Sequence, residues 1–195
     1  MKENRKCRTM SCANESHAVT LFIDGLPLCH PAALDPAVLA GECDFRATRR
    51  SGPGGQNRNK VETAVILTHR PTGIRAEASE RRTQGENRRA ALFRLRIELA
   101  LNVRRTIGEA GFRPSDIWQA RCRGGRIAVN PDHDDFPALL AEALDALHAV
   151  RDEPRAAAEA LGCSPSQLIK LLKEEPRAWV QINARRRQVG RHPLH

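Results

Sequence analysis

The chain has 195 residues, 41% hydrophobic and 4% aromatic, with 32 Lys and Arg against 23 Asp and Glu. That length holds one moderate domain or two small ones, and charges spread among apolar runs argue against a disordered or fibrous chain, though not for one large core. No run approaches the roughly 18 apolar residues of a membrane span, and Met1-Lys2-Glu3-Asn4-Arg5-Lys6 lacks the apolar stretch of a signal peptide, so neither membrane insertion nor secretion is expected.

Residues 1–33 have no sustained period and read as a loosely ordered N-terminal extension. The six cysteines, at 7, 12, 29, 43, 122 and 163, form no CxxC pair and read as reduced, intracellular thiols. Cys7, Cys12, Cys29 and His30 could be combined into a zinc site, but their spacing matches no common finger, and no metal or cofactor is expected. Asp35-Pro36 gives an N-cap and first-turn proline for a short helix to about Leu39. Cys43 to Arg50 alternates as a strand and stops at Ser51-Gly52-Pro53-Gly54-Gly55, since glycines and proline cannot continue it. A polar stretch compatible with one helical turn follows, then a β-branched strand from Thr63 to His69. Arg70-Pro71-Thr72-Gly73 puts Pro second and Gly fourth in a type I turn, and Ile74 to Ala78 completes a hairpin in which His69 reads as structural. Thr83-Gln84-Gly85-Glu86 is a capping box opening a helix to about Asn102. Its buried stripe is Leu92, Leu95, Leu99 and Val103, with Arg88, Arg89, Arg94 and Arg96 on its surface.

Further on, Ile127-Ala128-Val129 reads as a short strand. Asp132-His133-Asp134-Asp135 precedes a helix from Phe136 to Val150 with Leu140, Leu144 and Leu147 as core candidates; acids at a helix N-terminus suit its dipole better than they suit a metal. A helix from Pro154 to Leu161 stops at Gly162. Ser164-Pro165-Ser166-Gln167 is a second capping box, opening a helix through Leu168, Leu171 and Leu172. Over residues 154–173, Ala158, Leu161, Gly162, Cys163, Leu168 and Leu171 fall at helix-turn-helix spacings. The second helix offers Ser164, Ser166, Gln167, Lys170 and Lys173 to nucleic acid; Glu174 and Glu175 oppose that, and a plain three-helix module explains the same pattern. Residues 177–195 hold Arg177, Arg185, Arg186, Arg187 and Arg191 and no acid, a better RNA candidate than the helix before them.

The net charge of +9 is localised. Residues 1–43 carry 4 basic and 5 acidic side chains, residues 44–105 carry 15 and 6, and residues 106–195 carry 13 and 12. Such an excess is the expected footprint of a surface that meets a polyanion, because each phosphate neutralised releases condensed counterions. Only five of the basic residues are Lys, an enrichment in Arg that suits bidentate phosphate contact, although a GC-rich genome gives the same bias.

Inside the basic segment lies Arg49-Arg50-Ser51-Gly52-Pro53-Gly54-Gly55-Gln56-Asn57-Arg58-Asn59-Lys60, the most specific feature of the chain. With Thr63-Ala64-Val65, Thr68-His69, Pro71-Thr72-Gly73-Ile74, Arg82-Thr83-Gln84 and Asn87, it closely resembles the peptidyl-tRNA hydrolysis domain of class I peptide chain release factors, over about residues 43–102. The fold class expected is α+β: a small β-α-β-β-α catalytic domain over residues 34–105, a mostly helical region over residues 106–176 with the helix-turn-helix-like unit, and a basic helix or tail over residues 177–195.

The resemblance implies ester hydrolysis in the peptidyl transferase centre, with peptidyl-tRNA and large-subunit ribosomal RNA as partners. It makes the backbone N–H of Gln56 the donor to the transition state and its side-chain amide the group that orients water. Gly54 and Gly55 let the backbone approach closely, Ser51, Gly52, Pro53 and Asn59 support the loop, and a glutamine methyltransferase would modify Gln56. Arg49, Arg50, Arg58 and Lys60 would hold RNA phosphates, with Arg81 and Arg82 in second rank. Two departures stand out: Pro53 replaces a frequent small residue, and Arg58 stands where an apolar one is common. Release factors place a codon-reading section before this domain, whereas residues 1–43 precede it here, so the expectation is a codon-independent ribosome-rescue factor, monomeric and cytoplasmic. The rivals are a non-catalytic RNA-binding adaptor, against which the intact Gly54-Gly55-Gln56 counts, and a helix-turn-helix DNA regulator.

Overall fold

A computed structural model describes residues 21–22, 29–49, 62–105 and 112–194. In chain order the elements are β1 (Leu21–Phe22), a 3-10 turn (Pro31–Ala33), α1 (Pro36–Gly41), β2 (Cys43–Thr48), β3 (Ala64–His69), β4 (Arg75–Ala78), α2 (Gln84–Asn102), β5 (Val103–Arg104), α3 (Asp116–Arg121), β6 (Cys122–Arg123), β7 (Arg126–Ile127), α4 (Phe136–Ala149), α5 (Pro154–Ala160), α6 (Pro165–Lys173) and α7 (Pro176–Gln188). The architecture is α+β, as the residue pattern predicts. The single helical turn expected after the glycine loop lies outside the described residues.

Local signals start α1, α2, α4, α5 and α6 where they are expected. Asp35 accepts from the N–H of Ala37 at 2.8 Å ahead of Pro36. At α2 both halves of the capping box are present: Thr83 Oγ1 accepts from Glu86 N at 3.2 Å, and Thr83 N donates to Glu86 Oε2 at 3.3 Å. The second box is only half formed. Ser164 Oγ accepts from Gln167 N at 3.3 Å, but Gln167 Oε1 turns away to accept from Ile127 N at 3.3 Å on β7. A tertiary contact thus outcompetes the local one.

The strands β2, β3 and β4 form an antiparallel sheet in that order, registered from Cys43↔His69 to Thr48↔Ala64 and from Val65↔Ala78 to Thr68↔Arg75. The β3–β4 turn starts one residue before the predicted one. Thr72 N and Gly73 N both donate to His69 O, at 3.3 and 2.8 Å, which leaves Pro71 third and Gly73 fifth. Gly73 has φ +71, a left-handed conformation that glycine enters without strain. His69 is fully buried and bridges Thr72 Oγ1 (2.8 Å) and Glu42 Oε2 (3.2 Å), tying the turn to the end of α1. Its structural role is as expected.

Helix α2 packs against β3 and β4 and also against α4. Burial from two sides explains why its apolar surface is wider than the predicted stripe: Ala91, Ile97, Ala100 and Leu101 are buried beside Leu95, Leu99 and Val103, while Leu92 is only half-buried. Arg96, expected on the surface, is 5% exposed and donates from Nε to Ala32 O at 2.9 Å. Helix α4 is buried from Phe136 through Leu147, each large side chain contributing about 2 kcal/mol of hydrophobic stabilisation. One contiguous cluster of buried side chains runs from Ala32 through α2 and α4 to Ile182 on α7. The expectation that no single large core forms is therefore corrected.

The expected extension is corrected at its end. Leu21–Phe22 pairs in parallel with Val103–Arg104, and His30 and Ala32 are buried. Both ring nitrogens of His30 are engaged, Nδ1 accepting from Ala32 N (3.0 Å) and Nε2 donating to Val103 O (3.2 Å), which leaves no lone pair for zinc. Cys7 and Cys12 lie outside the described residues.

In the second half the predicted strand Ile127–Val129 is replaced by a tighter hairpin, β6 on β7, turned by Gly124 (φ +55) and Gly125 (φ +75). Two successive positive φ values define the two-residue turn that matches strand twist. Of the acids before α4, Asp135 pairs with a cation, its Oδ2 lying 2.7 Å from Arg121 Nη2, while its backbone N–H donates to His133 Nδ1 at 3.0 Å. Gly162 (φ +66) ends α5, and α5 packs on α6.

Candidate functional site

The catalytic and loop residues picked from the sequence, Gly54, Gly55, Gln56, Ser51, Gly52, Pro53 and Asn59, lie outside the described residues, as do Arg50, Arg58 and Lys60. What the structure describes is the frame that receives this segment. Its upstream end leaves β2 after Thr48, paired with Ala64, and its downstream end enters β3. Arg49 Nε lies 3.4 Å from Glu62 Oε1, joining the two ends through an exposed ion pair, of a kind worth at most about 1 kcal/mol.

A stronger clamp comes from α2. Asn87 is fully buried and its side chain uses both ends of the amide. Nδ2 donates to Thr63 O at 2.7 Å and to Arg81 O at 3.1 Å, while Oδ1 accepts from Arg81 N at 2.9 Å. One turn earlier Gln84 Nε2 donates to Glu62 O at 3.1 Å. The capping box sets the start of α2, the start of α2 sets Asn87 and Gln84, and these fix both the downstream stem of the loop and the backbone of Arg81. The sequence shows Asn87 only as part of a resemblance; an Asn inside an amphipathic helix, on its buried side, was the signal that a backbone segment is held there. Hydrogen bonds from Thr83 also hold the Glu86 carboxyl below its usual range, so it stays ionised in the cap.

Arg81 and Arg82 are exposed on the bend before α2, beside this clamp. Not all of the basic segment is surface. Arg104 is fully buried: Nη2 donates to Leu101 O at 2.9 Å and Nη1 to Ala100 O at 2.6 Å, capping the carbonyl end of α2. Burial pushes its pKa down to about 10, still charged at neutral pH. Arg94 is spent on Glu80 (2.7 Å) and on Glu77 O (2.9 Å). The charge excess of the segment thus divides between a surface share and internal struts, Arg96 and Arg104 among the latter.

The C-terminal arginines divide in the same way. Arg185 makes a two-pronged contact with Asp152, 3.0 Å from Nε to Oδ2 and 2.8 Å from Nη2 to Oδ1. Arg186 donates to His192 O at 2.9 Å and Arg191 to Arg151 O at 2.6 Å. The bonds from Arg185 and Arg191, with one from Arg186 Nη1 to Asp152 O at 2.5 Å, hold Arg151 and Asp152, which have φ values of +55 and +57, a strained conformation for residues with a Cβ. Arg187 is exposed. Arg177 pairs with Glu98 and Glu175, which binds the start of α7 to α2. On α6, Gln167 serves β7, while Ser166, Lys170 and Lys173 are exposed.

A groove of about 740 Å³ runs beside Arg81 between β4, α2 and the start of α7. Its arginines face Glu77, Glu80, Glu98, Glu175 and Asp132, so it presents no net attraction for an anion. Among the described residues no group of three or more His, Cys, Asp or Glu side chains is placed to hold a metal ion, and no helix is long and apolar enough to cross a membrane.

Burial of acids welds the end of this segment to the helical region. Glu142 of α4 accepts from Ser115 N at 2.7 Å and Ser115 Oγ at 2.6 Å, and Asp145 accepts from Arg105 N at 3.2 Å and Nε at 3.0 Å. Burial raises both carboxyl pKa values, partly offset by these donors.

Residues 35–111 match the family model described as RF-1 domain. Over 77 residues, 40% of this chain, the sequence is 42% identical to a chloroplastic peptide chain release factor of Arabidopsis thaliana, covering 17% of that protein. It is 42% identical over 91 residues, 45% of this chain, to peptide chain release factor 1 of Acidiphilium cryptum, covering 26% of it. It is 56% identical over 50 residues, 26% of this chain, to peptide chain release factor 1 of Streptococcus thermophilus, covering 14%. The chain thus spans about a quarter or less of the length of these relatives. The matched segment contains the Gly54-Gly55-Gln56 run, both strands of its stem and the Asn87 clamp, and on these grounds residues 35–111 belong to the RF-1 domain family, the family of class I peptide chain release factors.

Proposed function

We propose that this protein promotes hydrolysis of the ester between nascent peptide and tRNA in the ribosomal peptidyl transferase centre, without reading a codon, on stalled complexes. The observation that carries this reading is Gly54-Gly55-Gln56 in an RF-1 domain, between two paired strands whose downstream end is clamped by Asn87. Water adds to the ester carbonyl, the tetrahedral oxyanion needs a fixed donor, and the ribose oxygen leaves with a proton as the C–O bond breaks. The Gln56 N–H is that donor, its side-chain amide orients the water, and Gly54 and Gly55 remove the Cβ atoms that would clash with RNA. Arg49, Arg50, Arg58 and Lys60 meet phosphates, with Arg81 and Arg82 behind them. Arg187 is the exposed candidate on α7; Arg185, Arg186 and Arg191 reach RNA only by giving up their internal bonds.

The helical region over residues 112–194 shares the core of the RF-1 domain through α4 on α2. In this reading the α5–α6 pair, a helix-turn-helix-like unit, offers Ser166 and Lys170 as a secondary contact. The protein acts as a cytoplasmic monomer, and Gln56 is the target of a glutamine methyltransferase.

The test is release of labelled peptide from ribosomes carrying a stop codon, a sense codon or no codon in the acceptor site. Wild type releases peptide without a stop codon, and Gly55→Ala or Gln56→Ala lowers release about 100-fold or more while binding persists. Release confined to stop codons overturns codon independence, and equal release by wild type and Gly55→Ala overturns the catalytic reading.

A further inference from the structure

Phe45 is an inward-facing residue that the fold leaves half uncovered. It shares a face of the sheet with its register partners Leu67 on β3 and Ala76 on β4, which are 1% and 9% exposed, yet Phe45 itself is 45% exposed. The cause is the position of α2, which packs against β3 and β4 while β2 is the edge strand on the other side of β3. Over the ring stands the guanidinium of Arg88, 5.5 Å from the ring centroid. Among the described residues Arg88 is exposed and has no carboxylate within ion-pair distance. An exposed aromatic face with a stacked guanidinium suits a flat, electron-rich partner that also carries negative charge. The strand bearing Phe45 carries exposed Arg46 and runs directly into exposed Arg49, and Arg89 beside Arg88 is exposed as well, so charge complementarity selects a polyanion over a protein surface.

We propose that Phe45 and Arg88 form a stacking platform for an unpaired nucleotide of RNA, beside the stem of the glycine loop. The inference rests on the reading of this domain as one that faces RNA, but it does not depend on the chemistry of Gln56. Stacking tolerates any base, because every base has a π-face, so the platform adds affinity without sequence preference.

The experiment compares binding of the full chain to a mixed-sequence single-stranded RNA and to an abasic ribose-phosphate chain of the same length. Wild type should prefer the RNA. Phe45→Leu keeps an apolar side chain against Leu67 but lacks the ring, and should weaken RNA binding about 5- to 100-fold while leaving abasic binding unchanged. Phe45→Tyr should bind like wild type. Arg88→Gln, at an exposed position, should lower RNA binding more than abasic binding and keeps the test open if Phe45→Leu fails to fold in a thermal melt. No wild-type preference for RNA over the abasic chain, or equal losses on both ligands, overturns the platform and returns the patch to a protein contact. Gln56→Ala should bind RNA normally, so loss of peptide release and loss of stacking are read separately.

Discussion

Lowering the pH from about 7 to about 5 should cost the fold about 2 kcal/mol through His30 alone. The imidazole is 3% exposed; its Nδ1 accepts from Ala32 N and its Nε2 donates to Val103 O. A proton on Nδ1 would meet the Ala32 N–H head on, so the charged ring cannot keep this cap. Burial pushes the pKa down from 6.5 to about 3, with the Arg104 and Arg105 charges adding to that and the Val103 carbonyl opposing it. Because the folded pKa is depressed, the stabilisation is present above the unfolded value and is lost as pH falls from 6.5 toward about 3. At about pH 5 the unfolded chain takes up the proton roughly 1.5 units below its own pKa while the native ring does not, and at ~1.36 kcal/mol per unit this gives about 2 kcal/mol. The assay is urea unfolding of wild type and His30→Asn at both pH values; Asn retains an acceptor for Ala32 N but does not titrate. Glu142 and Asp145, raised by burial, act in the opposite direction and cancel because both proteins carry them. Wild type should lose about 2 kcal/mol more than the variant over the interval, and parallel pH slopes would refute the buried neutral imidazole.

Asn87→Ala leaves Thr63 O, Arg81 O and Arg81 N without their partner; it should cost about 2 to 3 kcal/mol in urea unfolding and reduce peptide release with the loop sequence intact. Gly162→Ala meets no heavy atom within 4 Å of the added Cβ, at φ +66. Its cost is therefore backbone strain of about 1 to 2 kcal/mol in a thermal melt, and Gly162→Asn should be milder there because Asn tolerates the left-handed region.

Much of the fold was legible because its signals are short in range. The Thr83–Glu86 box, the Asp35-Pro36 start and the Gly162 stop involve groups within three or four residues of each other, and the structure has each of them where the chain implies. The Gly124-Gly125 turn carried an equally local signal that the strand reading over Ile127–Val129 passed over. Gln167 shows the opposite case: its side chain had two partners available, and the β7 backbone prevailed over its own helix. Nothing near Gln167 in sequence announces a strand forty positions away.

By itself, the sequence carried the reading from which the proposed chemistry follows: Gly54-Gly55-Gln56, the basic residues around it and the alternation on either side mark this segment without coordinates. Only the tertiary structure decided which charges are free to meet a partner. Arg96 and Arg88 sit on one helix with the same side chain, yet the first is buried against Ala32 O and the second lies over an exposed ring. The helical period assigns each a direction, but whether that direction ends in solvent depends on what remote segments pack there: the turn after His30 against Arg96, and α4 against the far side of α2. Burial is a property of the assembled core, and no window of local sequence contains it.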